Sequence, residues 1–280
     1  MEKKINEPQF LLSPINNEVI NYRVYYPKAS EKIIMRLIGI AVGGIVGLIF
    51  FGGFFKSEGE ATVATYISNL VVFFGIGLIV SKILTPTLVQ RKKEKRDIVL
   101  KSQFRDMLES LSASFSSGSN SNEAFQSAYK DVKQQYGEDS FIAVEIKEIL
   151  NGIAQNITID VMLNDFADRS GNEDIKNFAD IFNICLEKGG ELKSVVRRTS
   201  GIISDRMSIS DEIETKLASN KMQHNVMSVM PIGIVALLRF SNDSFAATFT
   251  TFGGAIVNII AIGIFIGAYL FGQKICNINK

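Results

Sequence analysis

Histidine, cysteine and tryptophan are almost missing from this chain of 280 residues, which has one histidine, two cysteines and no tryptophan. A single imidazole, His224, leaves no ligand set for a histidine-based metal centre and no charge-relay base in the long polar segment before it. A phosphoacceptor role for His224 would need a nucleotide-binding domain with a glycine-rich lid, and the rest of the sequence has no room for one. The residue reads instead as an interfacial side chain at a helix end. No CxxC, Walker glycine loop or G-x-S-x-G elbow occurs. Metal hydrolysis, nucleotide hydrolysis and acyl transfer each lack a required part, so the reading is a non-enzyme without a cofactor or metal.

Net charge is also nearly absent, at +1, but the balance is local. Residues 97–221 hold 14 Lys and Arg against 21 Asp and Glu, a net of −7, while the remainder carries +8. An acidic domain of this kind is a poor binder of nucleic acid, which needs a basic face against its phosphates.

What the chain does have is long apolar runs, at about 37–55, 61–80, 226–238 and 253–271, bracketing a polar segment at 91–221. Crossing ~30 Å of hydrocarbon takes ~20 helical residues at ~1.5 Å each, which three runs approach. The third is short and contains Pro231; it spans only by recruiting His224 and Asn225 at one end and Arg239 and Phe240 at the other, where Arg239 can snorkel. The cluster Arg91-Lys92-Lys93-Glu94-Lys95-Arg96 follows the second run, and Lys28, Lys32 and Arg36 precede the first. The two short connectors hold one cation each, Lys56 and Arg239, so positive-inside bias puts both termini and the polar segment in the cytoplasm. The mixed charge ahead of the first run and the lack of a small-residue cleavage site after it argue against a signal peptide. In a reducing compartment Cys185 and Cys276 read as a core thiol and a tail thiol, without a disulfide.

Within 97–221 apolar residues recur at helical spacing. Phe104, Met107, Leu108, Leu111 and Phe115 form the first stripe, ended by a turn with Gly118 at the left-handed position. Asn120 or Ser121 caps a second helix with Ala124, Phe125 and Ala128 inward, closed by Gly137. A third carries Ile142, Ile146, Ile149, Leu150 and Ile153; a fourth, capped by Thr158, carries Ile159, Met162 and Phe166. A fifth, capped by Asn172, buries Ile175, Phe178, Ile181, Phe182 and Cys185 and ends at Gly189-Gly190. A sixth runs from Glu191 through Val195, Val196, Ile202, Ile203 and Met207 towards the third span. The fold class is therefore all-α, with about four transmembrane helices and a cytoplasmic six-helix bundle between spans two and three. The segments are 1–34 cytoplasmic, 35–84 a membrane hairpin, 90–221 the bundle, 222–273 a second hairpin and 274–280 a tail. Asp160, Asp165 and Asp168 fall on a solvated helix face rather than an oxygen-lined metal loop. Gly39, Gly43 and Gly47, and likewise Gly263 and Gly267, recur every fourth residue and provide grooves for close helix packing.

The order of features resembles a known family. Gln103-Phe104-Arg105-Asp106-Met107-Leu108-Glu109-Ser110-Leu111, leading to Ser117-Gly118 and a helix around Ala124, is similar to the opening of the type II secretion F domain. Leu186-Glu187-Lys188-Gly189-Gly190-Glu191-Leu192, followed by Arg197, Arg198 and Arg206, resembles that family's most recognisable stretch. Pro231 and the glycine-bearing last span fit as well. Secretion members carry the domain twice and this chain once, a departure that points to the TadB/TadC branch of tight-adherence (Flp) pilus assembly proteins. The resemblance implies a platform in a bacterial inner or plasma membrane, over a hexameric assembly ATPase, beside a paralogous platform protein, and acting on pilin or pseudopilin subunits; a homodimer is compatible with it. Two other classes share the topology. A signalling adaptor or sensor would have almost no outside segment to sense with. A transporter subunit would need facing polar residues in mid-membrane, where Thr62, Thr65, Ser68, Asn69 and Asn258 are better explained as helix-packing groups.

Overall fold

A computed structural model describes residues 7–53, 62–188 and 192–276. Two short strands, β1 (Phe10–Leu12) and β2 (Glu18–Ile20), pair antiparallel with Leu11 opposite Val19. The turn between them is closed by the Ser13 amide on the Asn17 carbonyl (2.9 Å), with Asn16 in the left-handed region at φ 61°. Among the described residues nine helices follow: α1 (Ala29–Phe51), α2 (Val63–Ser116), α3 (Ser121–Tyr136), α4 (Phe141–Ala154), α5 (Ile159–Ser170), α6 (Glu173–Lys188), α7 (Leu192–Ser241), α8 (Asp243–Phe249) and α9 (Phe252–Cys276). The chain divides into two compact units. One comprises the described residues up to Tyr26 with Val89–Ser210, the other Pro27–Leu88 with the described residues from Asp211 on.

This grouping differs from the boundaries read in the sequence. The second apolar run and the first amphipathic stripe are one helix, α2, of 54 residues. Arg91 to Arg96 are strong helix formers, and no glycine or proline lies between Pro86 and Gly118 to end it. The N-terminal segment, treated as a separate piece up to residue 34, contributes its hairpin to the helical unit, and α1 already starts at Ala29.

In the helical unit, side chains from the second half of α2, from α3 to α6 and from the first half of α7 share one buried cluster. A chain of ring contacts runs through it: Phe125 to Phe182 (6.0 Å), Phe182 to Phe178 (5.7 Å), Phe178 to Phe104 (5.7 Å), Phe104 to Phe166 (6.4 Å) and Phe166 to Tyr22 (6.4 Å). Asn120 caps α3 in a reciprocal capping box with Glu123, and Asn172 accepts from the amides of Asp174 and Ile175 at the start of α6. Gly118 and Gly171 sit at φ 92° and 61°, where a side chain would be strained. Ile181, expected inside, is exposed, and so is Ile202 on α7. On each helix the buried residues (Ile175, Phe178, Ala179 and Phe182; Val196, Ile203 and Met207) leave that isoleucine at the edge of the arc. Cys185 is only half-buried.

In the other unit α1 and the first half of α2 pack antiparallel. A Cβ added to Gly39 would fall 2.7 Å from the Ser81 Cα, one on Gly43 2.6 Å from the Val80 Cβ, and one on Gly47 3.0 Å from Ile76. Around Gly263 and Gly267 on α9 no other element among the described residues comes within 4 Å of such a position. Gly39→Ala must push backbone apart and is expected to destabilise the hairpin by ~1–3 kcal/mol. Gly263→Ala should be neutral or stabilising by up to ~1 kcal/mol, since alanine is the better helix former. Thermal unfolding of the two full-length variants in one detergent checks this, and equal shifts would contradict the packing.

α1 and the apolar part of α2 are long and apolar enough to cross a membrane; 226–241 and 253–268 are shorter apolar stretches. α7 continues unbroken through Pro231. Arg239 does not reach away from the apolar helices as expected. Its guanidinium donates to the carbonyls of Leu48 (3.2 Å), Ile49 and Gly52, and Asn258 donates to that of Phe50 (3.2 Å). The last turn of α1 leaves carbonyls without helical partners, and a cation is favoured at that negative end. Asn69 accepts from the Gly53 amide at 2.7 Å, a helix-packing role.

Candidate functional site

The helical unit concentrates its buried charge where α4, α5 and the N-terminal hairpin meet. Glu145 on α4 is fully buried among apolar neighbours because it lies one residue before the inward Ile146. Arg169, in the last turn of α5, donates to both its carboxylate oxygens (2.9 and 2.7 Å), to Asp165 one turn back (2.7 Å) and to the Ile20 carbonyl (3.0 Å). The Tyr22 hydroxyl adds a third donor to Glu145 at 3.0 Å. Burial pushes the Tyr22 hydroxyl well above its usual range, reinforced by the neighbouring Glu145 charge. One turn further along α4, Glu148 accepts from Ser13 (2.6 Å) and Asn17 (3.0 Å) of the hairpin turn. Arg96 on α2 closes the arrangement, donating to the carbonyls of Tyr22 (2.7 Å) and Val24 (3.0 Å) with its guanidinium 5.4 Å from the Tyr22 and Tyr25 rings. Three helices are thus tied to the segment that leads into α1.

A second tie joins α2, α6 and α7. Asp174, buried in the first turn of α6, pairs with Lys101 (2.7 Å) and Arg206 (2.9 Å). On the other flank of α7 a shallow groove of about 540 Å³ is lined by Glu109 and Ser112 of α2 and by Arg197, Ser200, Gly201 and Asp205 of α7. Its hydroxyls have no imidazole beside them, so the groove offers binding groups and not a nucleophile.

Gly118 forms the turn after α2, while Gly189 and Gly190 lie outside the described residues. Asp165 is bound to Arg169 and Asp168 to Lys176 (3.1 Å). No group of three metal-ligating side chains occurs among the described residues. At the far end of α3, Glu138 lies between Lys133 (2.8 Å) and Lys147 (3.0 Å), which hold its carboxyl down to about 2. Because the folded value is depressed, the contribution to stability is present above the ordinary carboxylate range and lost as pH falls towards about 2. An NMR titration of the Glu138 carboxyl is expected to give that low midpoint, returning upward in Lys133→Gln; an ordinary midpoint in the unaltered protein would contradict the pairing.

The sequence alone did not disclose Glu145, Arg169 or the docking of the hairpin. The apolar Phe10-Leu11-Leu12 and Val19-Ile20 on either side of Pro14-Ile15-Asn16-Asn17 were the available hairpin signal. Nothing in a single arginine near a helix end reveals which carboxylate it will meet.

Residues 107–238 match the family model described as Type II secretion system (T2SS), protein F. No curated protein and no solved structure matches the chain.

Proposed function

We propose, for a chain whose residues 107–238 match the family model of the type II secretion system protein F, a platform role in a tight-adherence (Flp) type pilus machine. The family as a whole consists of non-catalytic membrane platform proteins of secretion and pilus machines. The finer reading is that this member couples a cytoplasmic hexameric ATPase to the extraction and polymerisation of pilin subunits, beside a paralogous platform protein. The observation that carries it is the extent of the matched domain: it takes in most of the helical unit and continues along α7 past Pro231.

Four spans with both termini cytoplasmic fit the antiparallel α1/α2 pair, which brings Ala29 and Leu88 to the same end. Lys28, Lys32, Arg36 and Lys82 gather at that end. The contrary cation, Arg239, is absorbed by α1 carbonyls and loses its weight in the charge balance. The net charge of −7 over residues 97–221 suits a surface that transmits motion.

Co-expression of the full chain with the assembly ATPase of its own gene cluster, followed by affinity purification from membranes, tests the reading. Retention of the ATPase, with no solute flux in liposomes, is expected. Flux without ATPase retention would replace the platform by a transporter.

A further inference from the structure

We propose that the basic end of the α1/α2 hairpin is a binding site for the phosphate groups of anionic phospholipids, a reading that rests on the membrane placement above. Lys28, Lys32 and Arg36 are exposed and recur every fourth residue. The same face of α1 continues through Gly39, Gly43 and Gly47, which pack on α2. Lys82 of α2 joins them: the hydroxyl of Ser81, its neighbour, donates to the Arg36 carbonyl at 3.0 Å, which sets the two helices at one level there. Among the described residues of α1 and of α2 up to Leu88, Glu31 is the one carboxylate against these four cations.

Lys28 and Lys32 do not serve the helix that bears them, because positive charge in the first turn of α1 opposes the backbone dipole. The neighbouring surface says which kind of anion suits them: Ile33 and Leu37, each more than half exposed, flank Lys32 and Arg36 on α1. A soluble phosphate compound has no use for such a surface. A phospholipid fills both parts, with acyl chains along Ile33 and Leu37 and its phosphate among the ammonium and guanidinium groups. Cations from two closely packed helices also favour a headgroup with more than one negative charge.

The test uses the full chain in vesicles of phosphatidylcholine with increasing phosphatidylglycerol. Spin-labelled analogues of each lipid report their relative association with the protein. Phosphatidylglycerol is expected to be preferred, and Arg36→Gln to lower that preference by about fivefold, the effect of one cation at an anionic surface. Lys82→Gln, on the other helix, should act in the same direction, while Lys130→Gln in the helical unit should have no effect. Equal association of both lipids, or a preference unchanged in both Arg36→Gln and Lys82→Gln, would overturn the proposal. So would displacement of the labelled lipid by millimolar glycerol phosphate, which would assign the cations to a soluble anion. Protease protection in pure phosphatidylcholine vesicles separates the two levels: failure to insert there and in every other bilayer would remove the membrane reading itself, whereas insertion without lipid preference removes only this site.

Discussion

Replacing Phe178 with alanine is expected to cost the helical unit ~3–5 kcal/mol, a large part of the ~5–15 kcal/mol that holds a domain of this size together. The ring is fully buried and stands between Phe104 on α2 and Phe182 on α6, so its loss opens a cavity at the middle of the aromatic chain. The helices around it are pinned at their ends by Asp174 and by the Asn172 cap and cannot collapse freely into the space. Ile181→Ala, three residues along the same helix but exposed, should change stability by less than ~1 kcal/mol. Denaturant unfolding of the two variants followed by circular dichroism checks the pair; similar effects would mean that the core is elsewhere.

The second large effect is expected at Arg169. Arg169→Ala leaves Glu145 buried with Tyr22 as its remaining side-chain donor, and removing one partner of a buried ion pair costs ~3–5 kcal/mol. Arg169→Met together with Glu145→Leu should recover much of the loss, because no unpaired charge is then left inside. Cleavage of the hairpin segment by a protease should accelerate in Arg169→Ala, since the arginine also holds the Ile20 carbonyl. A single variant as stable as the original protein would show that the pair is not formed. The same ties decide where the helical unit can be cut. A fragment beginning at Asp97 lacks Ser13 and Asn17, the donors to Glu148, and Tyr22, one of the donors to Glu145, while Arg169 stays in place.

Helix identity and core were legible because amphipathic periodicity is local: Phe104, Met107, Leu108 and Leu111 announce their face without reference to any other element. Caps were legible in part: the start of α3 was narrowed to Asn120 or Ser121, and Asn120 makes the cap, whereas Thr158 precedes α5 without a side-chain cap bond. Where one helix passes from apolar to basic composition, periodicity says nothing about a break, and only missing glycine and proline kept α2 whole through Arg91. Long-range polar ties were not legible. Arg239 could be expected to seek water or helix carbonyls, and the choice was made by the end of α1, far away in sequence. Arg169 met Glu145 for similarly non-local reasons. The functional reading came from the order of motifs around Gly118, the Arg-rich start of α7 and Pro231, not from any reactive group.

The most direct measurement of the platform account concerns α7. It runs as one helix from Leu192 to Ser241, and at Pro231 a backbone hydrogen bond is missing, which permits bending. If ATPase-driven motion is passed along this helix, a pair of glycines inserted among Ser208, Ile209 and Ser210 should soften it without altering either end. Pilus extension by cells carrying that insertion should be lost, with membrane insertion of the protein and its retention of the ATPase intact. Normal piliation in those cells would contradict force transmission through α7.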